Sequence, residues 1–382
     1  MAGSPCESPS SFVMAHLAYA VIGAAYLWPW NVMLAAGPLV FKQLEGYPGL
    51  QANYSSSVMT ANTVVNIVVT IYLASRPTNF ANRVTYGLLV TGAVFLVLAL
   101  SCIIELPPPV RFTLILGFVA ANTIGVSVVQ NGILAIAQRI TGGAHMRSLL
   151  IGQSVAGVVP PILSLAVGST TISPAFIGLL FLSATALALL AIRLLRHDNM
   201  IEHIELSQGE GQKLPPWDVL KRMNNDMYYP ALAIILGFGI TLSYPVFANN
   251  VSSSNTPLRI FAPLTHLVWN VGDLLGRVMC QYRPNLTIKS EKLLLPYAWS
   301  RGIFVILLIF LARAGNPVDL VYELLQFLFG ITNGHLITSA VSVARDCVEE
   351  TLHSAAGGLI GFYIAVGLLL GSLGSFVTIS LL

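Results

Sequence analysis

The sequence predicts an all-α, polytopic membrane protein of eleven membrane-crossing helices, arranged as six before and five after one polar linker. Three observations carry that prediction. Of the 382 residues, 55% are hydrophobic and only 9% charged, with a mean hydropathy of +0.77; soluble domains carry about 25% charged residues. Apolar runs long enough to cross a bilayer, about 20 residues each, recur along the whole chain. The charges gather in the breaks between those runs, and the one long polar stretch is residues 197–226.

The first run, 12–36, has no Lys or Arg before it, exceeds a signal-peptide core and ends without a small-residue cleavage site, so it reads as a retained helix. The second and third, 54–75 and 84–104, are parted by "RPTNFANR", whose proline and charges cannot continue a lipid-facing helix. "IELPPPVR" separates the third from the fourth, 111–138, and "RITGGAHMR" the fourth from the fifth, 148–168. "GSTTISP" precedes the sixth, 174–196. The seventh to eleventh are 227–248, 258–280, 293–313, 318–344 and 355–381, with "RPNLTIKSEK" and "RAGNPVD" among their breaks. The chain divides accordingly into an N-terminal six-helix bundle (1–196), a cytoplasmic linker (197–226) with a short interfacial helix after Pro216, and a C-terminal five-helix bundle (227–382).

Orientation follows from the Lys/Arg bias. With a cytoplasmic N-terminus, thirteen basic residues fall inside: Arg76, Arg83, Arg139, Arg147, Arg193, Arg196, Lys213, Lys221, Arg222, Arg283, Lys289, Lys292 and Arg345. Four, Lys42, Arg111, Arg259 and Arg313, fall outside, and an odd helix count puts the C-terminus outside or in a lumen. Asn53 and Asn250 sit in outer-loop N-x-S/T sequons open to glycosylation; Asn285 falls on the cytoplasmic side. Cys6, Cys102, Cys280 and Cys347 are too scattered for a disulfide framework or a zinc site, and neither a metal nor a cofactor is indicated.

Polar side chains in hydrocarbon are costly, so their positions inform. The eighth span reads "THLVWNVGDLLGRVM" and puts His266, Asn270, Asp273 and Arg277 at steps of four, three and four, one helical stripe. Asp273 and Arg277 can neutralise one another. Two readings follow: an ion pair that only fixes packing, with Arg277 able to snorkel, or a polar stripe facing a water-filled cavity. Asn62 and Asn66 share a face of the second span; Asn122, Gln130 and Asn131 lie in the fourth, Gln153 in "GQSVAG" of the fifth, Arg301 in the ninth, and Gln326 and Asn333 in the tenth. Any one such amide also serves as helix–helix glue. A mixed, amide-rich, neutral stripe suits an uncharged polar solute better than an ion channel's single-sign rings. In the last span Gly357 and Gly361, and Gly367 and Gly371, have the spacing of close helix packing. No G-x-S-x-G, H-E-x-x-H or phosphate-binding glycine loop occurs, so an enzyme or ATP-driven pump is not indicated.

With those residues placed, the chain resembles the equilibrative nucleoside transporter family from first helix to last. The carrying motifs are "LWPWN" (27–31), "GQSVAG" (152–157), "WNVGDLLGR" (269–277), "TNGHL" (332–336) and the glycine-rich final span. "LWPWN" and the short first outer loop look nearer to fungal members. The resemblance implies a major-facilitator-like 6+5 arrangement with one helix missing, and passage of purine and pyrimidine nucleosides, adenosine and uridine among them, by alternating access. It implies that Trp30 lines the pocket, Gln130 reads a base edge, and Asp273 and Arg277 hold the ribose hydroxyls with Asn270 nearby. Leu27, Pro29, Asn31, Asn62, Gln153, His266, Arg301 and Asn333 take supporting or gating positions.

The chemistry agrees with that assignment. An indole offers a flat face to any base, an amide both donates and accepts, and a carboxylate accepts from a diol while its guanidinium partner donates. Because Asp273 offsets Arg277, the expected site has no spare positive charge for a phosphate, and nucleotides are expected to be poor substrates. Pro29 bends the first helix, and Asn31 is expected to satisfy part of the opened backbone. Trp28 is expected to reshape the cavity. Two alternatives stand beside the facilitative carrier: a proton-coupled symporter of nucleosides or nucleobases, and a membrane receptor that binds without transport. An ion-paired Asp273 is a poor proton carrier. Partners are then the lipid bilayer, nucleosides and, in the symporter reading, protons, with no nucleic acid; the plasma membrane and a vacuolar or lysosomal membrane are both compatible.

Overall fold

A computed structural model describes residues 9–37, 40, 43–74, 79–139, 144–168, 174–196, 216–251, 253, 256–314 and 319–382. Lys42, Arg76, Lys213 and the linker segment 197–215 lie outside the described residues. The described chain is helical: α1 (Pro9–Ala35), α2 (Pro48–Ala74), α3 (Phe80–Ser101), α4 (Pro108–Arg139), α5 (Ala144–Gly168), α6 (Pro174–Leu195), α7 (Trp217–Asp226), α8 (Tyr228–Thr241), α9 (Ser243–Asn250), α10 (Leu258–Tyr282), α11 (Glu291–Ser300), α12 (Gly302–Arg313), α13 (Asp319–Asp346) and α14 (His353–Ser380). Several ends follow directly from sequence. Pro9, Pro48, Pro108 and Pro174 open helices where a missing N–H costs nothing, and the Asn79 side chain caps α3 by accepting from the Asn82 N–H at 3.1 Å.

Among the described residues, ten helical stretches are long and apolar enough to cross a membrane. They include 228–250 and 291–313 as single stretches. The 25-residue α10 is not among the ten; it carries the polar stripe. Two expected uninterrupted spans are broken. The seventh turns at Leu242, between α8 and α9, because Pro245 has no N–H to offer the Thr241 carbonyl. The ninth turns at Arg301, between α11 and α12, immediately before Gly302. The helix expected after Pro216 is present as α7, with Met223 buried and Trp217 exposed.

The packing has an internal symmetry. α1 packs on α5 as α8 packs on α14, and α2 packs on α4 as α10 packs on α13. Across the molecule α5 meets α10 and α2 meets α14, contacts that exchange under the same correspondence. The tightest pairing, α10 with α13, depends on glycine: a Cβ at Gly272, Gly276, Gly330 or Gly334 would strike the facing backbone of Phe327, Ile331, Trp269 or Asp273 respectively. In α14, Gly357 abuts the Leu134 carbonyl, Gly367 that of Ile235 and Gly371 that of Gly239, so these glycines serve packing as their spacing implies. Ile71, Leu100, Leu179, Ile306, Phe310 and Leu320 form part of a broad exposed apolar surface, which a bilayer would cover.

Candidate functional site

Asp273 lies at the centre of a buried hydrogen-bond network that draws on five helices and the α11–α12 junction. The four-residue step predicted on α10 places Arg277 beside it, with Arg277 Nε donating to Asp273 Oδ2 at 2.9 Å. Both side chains are almost wholly removed from solvent. Ser154 of α5 donates to the same Oδ2 at 2.6 Å, and Asn333 of α13 donates to Oδ1 at 2.7 Å. Arg277 Nη1 reaches across to α5, donating to the Leu150 carbonyl at 3.1 Å and to Gln153 Oε1 at 3.2 Å. Gln153 in turn donates to the Tyr26 hydroxyl of α1. Isolated charges at this depth would be costly; here each has a partner and several hydrogen bonds.

The network continues through α8. Thr241 Oγ1 lies 2.6 Å from Asn333 Oδ1, and Arg301 Nη2 donates to Thr241 Oγ1 at 3.1 Å. A hydroxyl has one proton. The Thr241 proton has two acceptors in reach, Asn333 Oδ1 and the Gly237 carbonyl at 2.7 Å, and that carbonyl also accepts from Arg301 Nη1 at 3.0 Å. Arg301 is completely buried, its guanidinium 5.0 Å from the Phe329 ring centroid. Among the described residues no carboxylate forms an ion pair with it, and its Nε has no hydrogen-bond partner. The network thus holds two guanidinium groups and one carboxylate. The expectation of an electrically balanced site holds for the Asp273–Arg277 pair alone. With Arg301 drawn in, the premise that no positive charge is spare, and hence that nucleotides are poor substrates, is withdrawn.

The remaining predicted residues fall in several places. Asn270 is buried, donates to the His266 carbonyl at 2.7 Å and packs directly on Gly157 of α5. His266 Nε2 lies 3.1 Å from Asn249 Oδ1, and Asn249 donates to Ser55 of α2 at 3.3 Å, a second polar link across the molecule. Thr63 and Ser372 join α2 to α14 at 2.8 Å. Trp30 is half-buried in a small apolar cluster with Met59, Leu242, Val246, Leu368 and Ile379, where α1, α2, α9 and α14 converge. Gln130 is half-buried on α4, one turn from the Leu134 that abuts Gly357 of α14. Asn62 accepts from Thr123 at 2.7 Å, an α2–α4 link. Neither Trp30 nor Gln130 is hydrogen-bonded into the Asp273 network. Asn53 and Asn250 are exposed.

Two expectations for "LWPWN" are corrected. Asn31 donates to the Leu27 carbonyl at 3.1 Å, whereas Pro29 withholds its donor from the Ala25 carbonyl, so the amide does not answer the bond that the proline removes. Trp28 donates Nε1 to Ser183 of α6 at 2.8 Å and packs among the apolar residues of the first helices. Its indole is thereby tied to α6 and is not part of the Met59, Leu242 and Val246 cluster that Trp30 reaches. A cavity of about 690 Å³ opens elsewhere, at the basic end of α10 and α13, lined by Arg147, Cys280, Thr287, Lys289, Thr338 and Asp346 among others, and by none of the predicted substrate contacts.

Ser154, Tyr26 and Thr241 are network members that sequence reading did not single out. Ser154 adjoins Gln153 within "GQSVAG", and Tyr26 adjoins "LWPWN", so proximity to the motifs was a usable signal for those two. Nothing marks Thr241 in sequence.

Residues 205–379 match the protein family described as Nucleoside transporter. The chain is 28% identical to the nucleoside transporter FUN26 of Saccharomyces cerevisiae, over 95% of this chain and 84% of that one. It is also 28% identical to the equilibrative nucleoside transporter 2 of Homo sapiens, over 41% of this chain and 37% of the relative. Among solved structures, the human organic anion transporter MFSD10 superposes with a TM-score of 0.62 at 11% identity, covering 96% of this chain and 93% of that one, a likeness of major-facilitator-like fold alone. Near-full-length similarity to the yeast protein, the family match over residues 205–379, which include Asp273 and Arg277, and the five motifs in order point the same way: this multi-pass membrane protein is similar to the equilibrative nucleoside transporters.

Proposed function

We propose that this protein carries nucleosides down their gradient by alternating access of two helical bundles, six helices before the linker and five after it. The observation that supports the reading best is the Asp273–Arg277 pair, buried where α5 meets α10 and held partly by side chains from the opposite bundle. A packing-only pair would need no such cross-bundle partners. Ser154 now occupies an acceptor position on Asp273 that a ribose hydroxyl is chemically equipped to take. When the bundles part along α5 and α10, Ser154 leaves with α5, and Asp273 and Arg277 remain together on α10. A substrate diol then replaces the lost hydroxyl, so neither charge is left without a partner during the exchange. Trp30 offers the base an apolar face, and Gln130 contacts its edge. The N-terminus is cytoplasmic and the C-terminus extracellular or luminal, with glycan accepted at Asn53 or Asn250.

Uptake of radiolabelled uridine and adenosine into proteoliposomes, with and without an imposed pH gradient, tests this. Saturable uptake to equilibrium, with counterflow and no accumulation above the outside concentration, is expected. Accumulation driven by the pH gradient would replace facilitation with proton symport, and ligand binding without counterflow would make the protein a receptor.

A further inference from the structure

The network around Asp273 contains a charge that its diol-binding role does not call for. Arg301 stands at the junction of α11 and α12, midway along the 291–313 stretch, and is completely buried. A cation at such depth is costly on every scale. Its contacts offset only part of that: one backbone carbonyl, one hydroxyl and the Phe329 ring, with Nε unpartnered. Glu323 does not neutralise it. That carboxylate accepts from Thr265 at 2.6 Å, forms no ion pair with Arg301, and sits six residues before Phe329 on α13, about 9 Å along the helix from the ring that the guanidinium covers. What Arg301 does reach, through Thr241 and Asn333, is Oδ1 of Asp273, three hydrogen bonds away.

We infer that Arg301 is a positioning and specificity-determining residue: it fixes the Thr241–Asn333 relay onto Asp273 and makes the sugar-binding region net positive, so that cationic solutes are rejected. A lone buried carboxylate would otherwise attract ammonium-bearing compounds of nucleoside size. Pairing with Arg277 cancels that attraction, and Arg301 reverses it. Like-charge juxtaposition in a desolvated site disfavours the wrong ligand strongly. The distinguishing quantity is therefore charge preference, not overall rate.

The inference rests on the nucleoside-carrier reading, and the experiment separates the two. Full-length protein in proteoliposomes is given uridine and 5′-amino-5′-deoxyuridine, which places an ammonium where uridine has its 5′ hydroxyl. Uridine uptake by the wild type tests the carrier reading by itself. Against that baseline, Arg301→Gln is expected to raise the uptake of the amino analogue relative to uridine by about tenfold, and Arg301→Lys, which keeps the charge, to leave the ratio near wild type. Should Arg301→Gln fail to fold, Thr241→Asp supplies an ion-pair partner to the intact guanidinium and is expected to raise the ratio likewise. A wild-type ratio in a folded Arg301→Gln or Thr241→Asp protein that still carries uridine overturns the inference. A collapse of both uptakes in proportion would give Arg301 a structural role only, and overturns it as well.

Discussion

Ser154 of α5 and Asp273 of α10 are joined at 2.6 Å, hydroxyl to carboxylate oxygen, across the contact between these two helices. This bond and the Arg277 bonds to Leu150 and Gln153 tie the central ion pair to α5. The pair is therefore part of the closure itself. A bond of this kind to a charged acceptor contributes about 1.5–3 kcal/mol.

If the Ser154 hydroxyl competes with a substrate hydroxyl for Asp273 Oδ2, deleting it removes the competitor. Ser154→Ala should lower the apparent KM for uridine about three- to tenfold, the range that corresponds to about 0.7–1.4 kcal/mol of the lost bond. A rise in KM would instead make Ser154 a substrate contact and sink the exchange mechanism. Uptake measured over a range of uridine concentrations reads the difference directly.

Breaking the ion pair on one side should be worse than removing both charges. Arg277→Ala strands a buried carboxylate that keeps only Ser154 and Asn333, a loss of about 3–5 kcal/mol by the behaviour of other buried pairs. Asp273→Asn combined with Arg277→Gln leaves neutral amides that can still hydrogen-bond. Thermal unfolding in detergent should place the double variant well above Arg277→Ala, while both lose uridine uptake by about 100-fold or more. Normal uptake by the double variant would reduce the pair to packing.

How far the sequence disclosed this site depends on whether the information was local to one helix. The α10 stripe was legible because steps of three and four fix a face without reference to anything else, and Asn333 and Gln153 were legible as amides at membrane depth. Thr241 was not, since a threonine in an apolar helix looks like any back-bonding hydroxyl until α8 is laid against α13. The excess charge was not legible either. Arg301 was visible as a residue, but its membership of the Asp273 network is a tertiary fact carried by Thr241. Neighbouring residues misled in "LWPWN", where Trp28 and Trp30 share one apolar cluster but only Trp30 also reaches Met59, Leu242 and Val246, while Trp28 is tied to Ser183. The breaks at Leu242 and Arg301 escaped because hydropathy averages across them.

Trp30 and Gln130 lie apart from the ion pair, so their roles should separate in a substrate panel. Trp30→Ala removes a stacking face together with its packing on Met59, Leu242 and Val246. It should weaken all nucleosides alike, by about 1–3 kcal/mol in kcat/KM. Gln130→Ala removes a donor and an acceptor whose matches differ between base edges, so adenosine and uridine should be affected unequally. Competition assays with unlabelled adenosine, inosine, uridine and cytidine make the comparison. Equal loss for every base in Gln130→Ala would assign that amide to the α4–α14 contact instead.

The last prediction concerns the backbone that brings Asn333 to Asp273. A Cβ at Gly334 would overlap the Asp273 carbonyl, whereas a Cβ at Gly374 of α14 would have nothing within 4 Å. Gly334→Ala must therefore push α10 from α13 just where Asn333 donates to Asp273. The side-chain bond, at 2.7 Å, has little slack and would lengthen or break. Overpacking of this kind is destabilising by about 1–3 kcal/mol, and it disturbs the carboxylate as well as the fold. Gly374→Ala meets open space and should leave stability within about 0.5 kcal/mol. The two variants add the same single methyl group, so a lower unfolding midpoint and lost uridine uptake in the first, with neither in the second, would trace the effect to the α10–α13 approach. Equal behaviour would mean that these helices have room to yield, and that the carboxylate's position does not depend on the glycine contact.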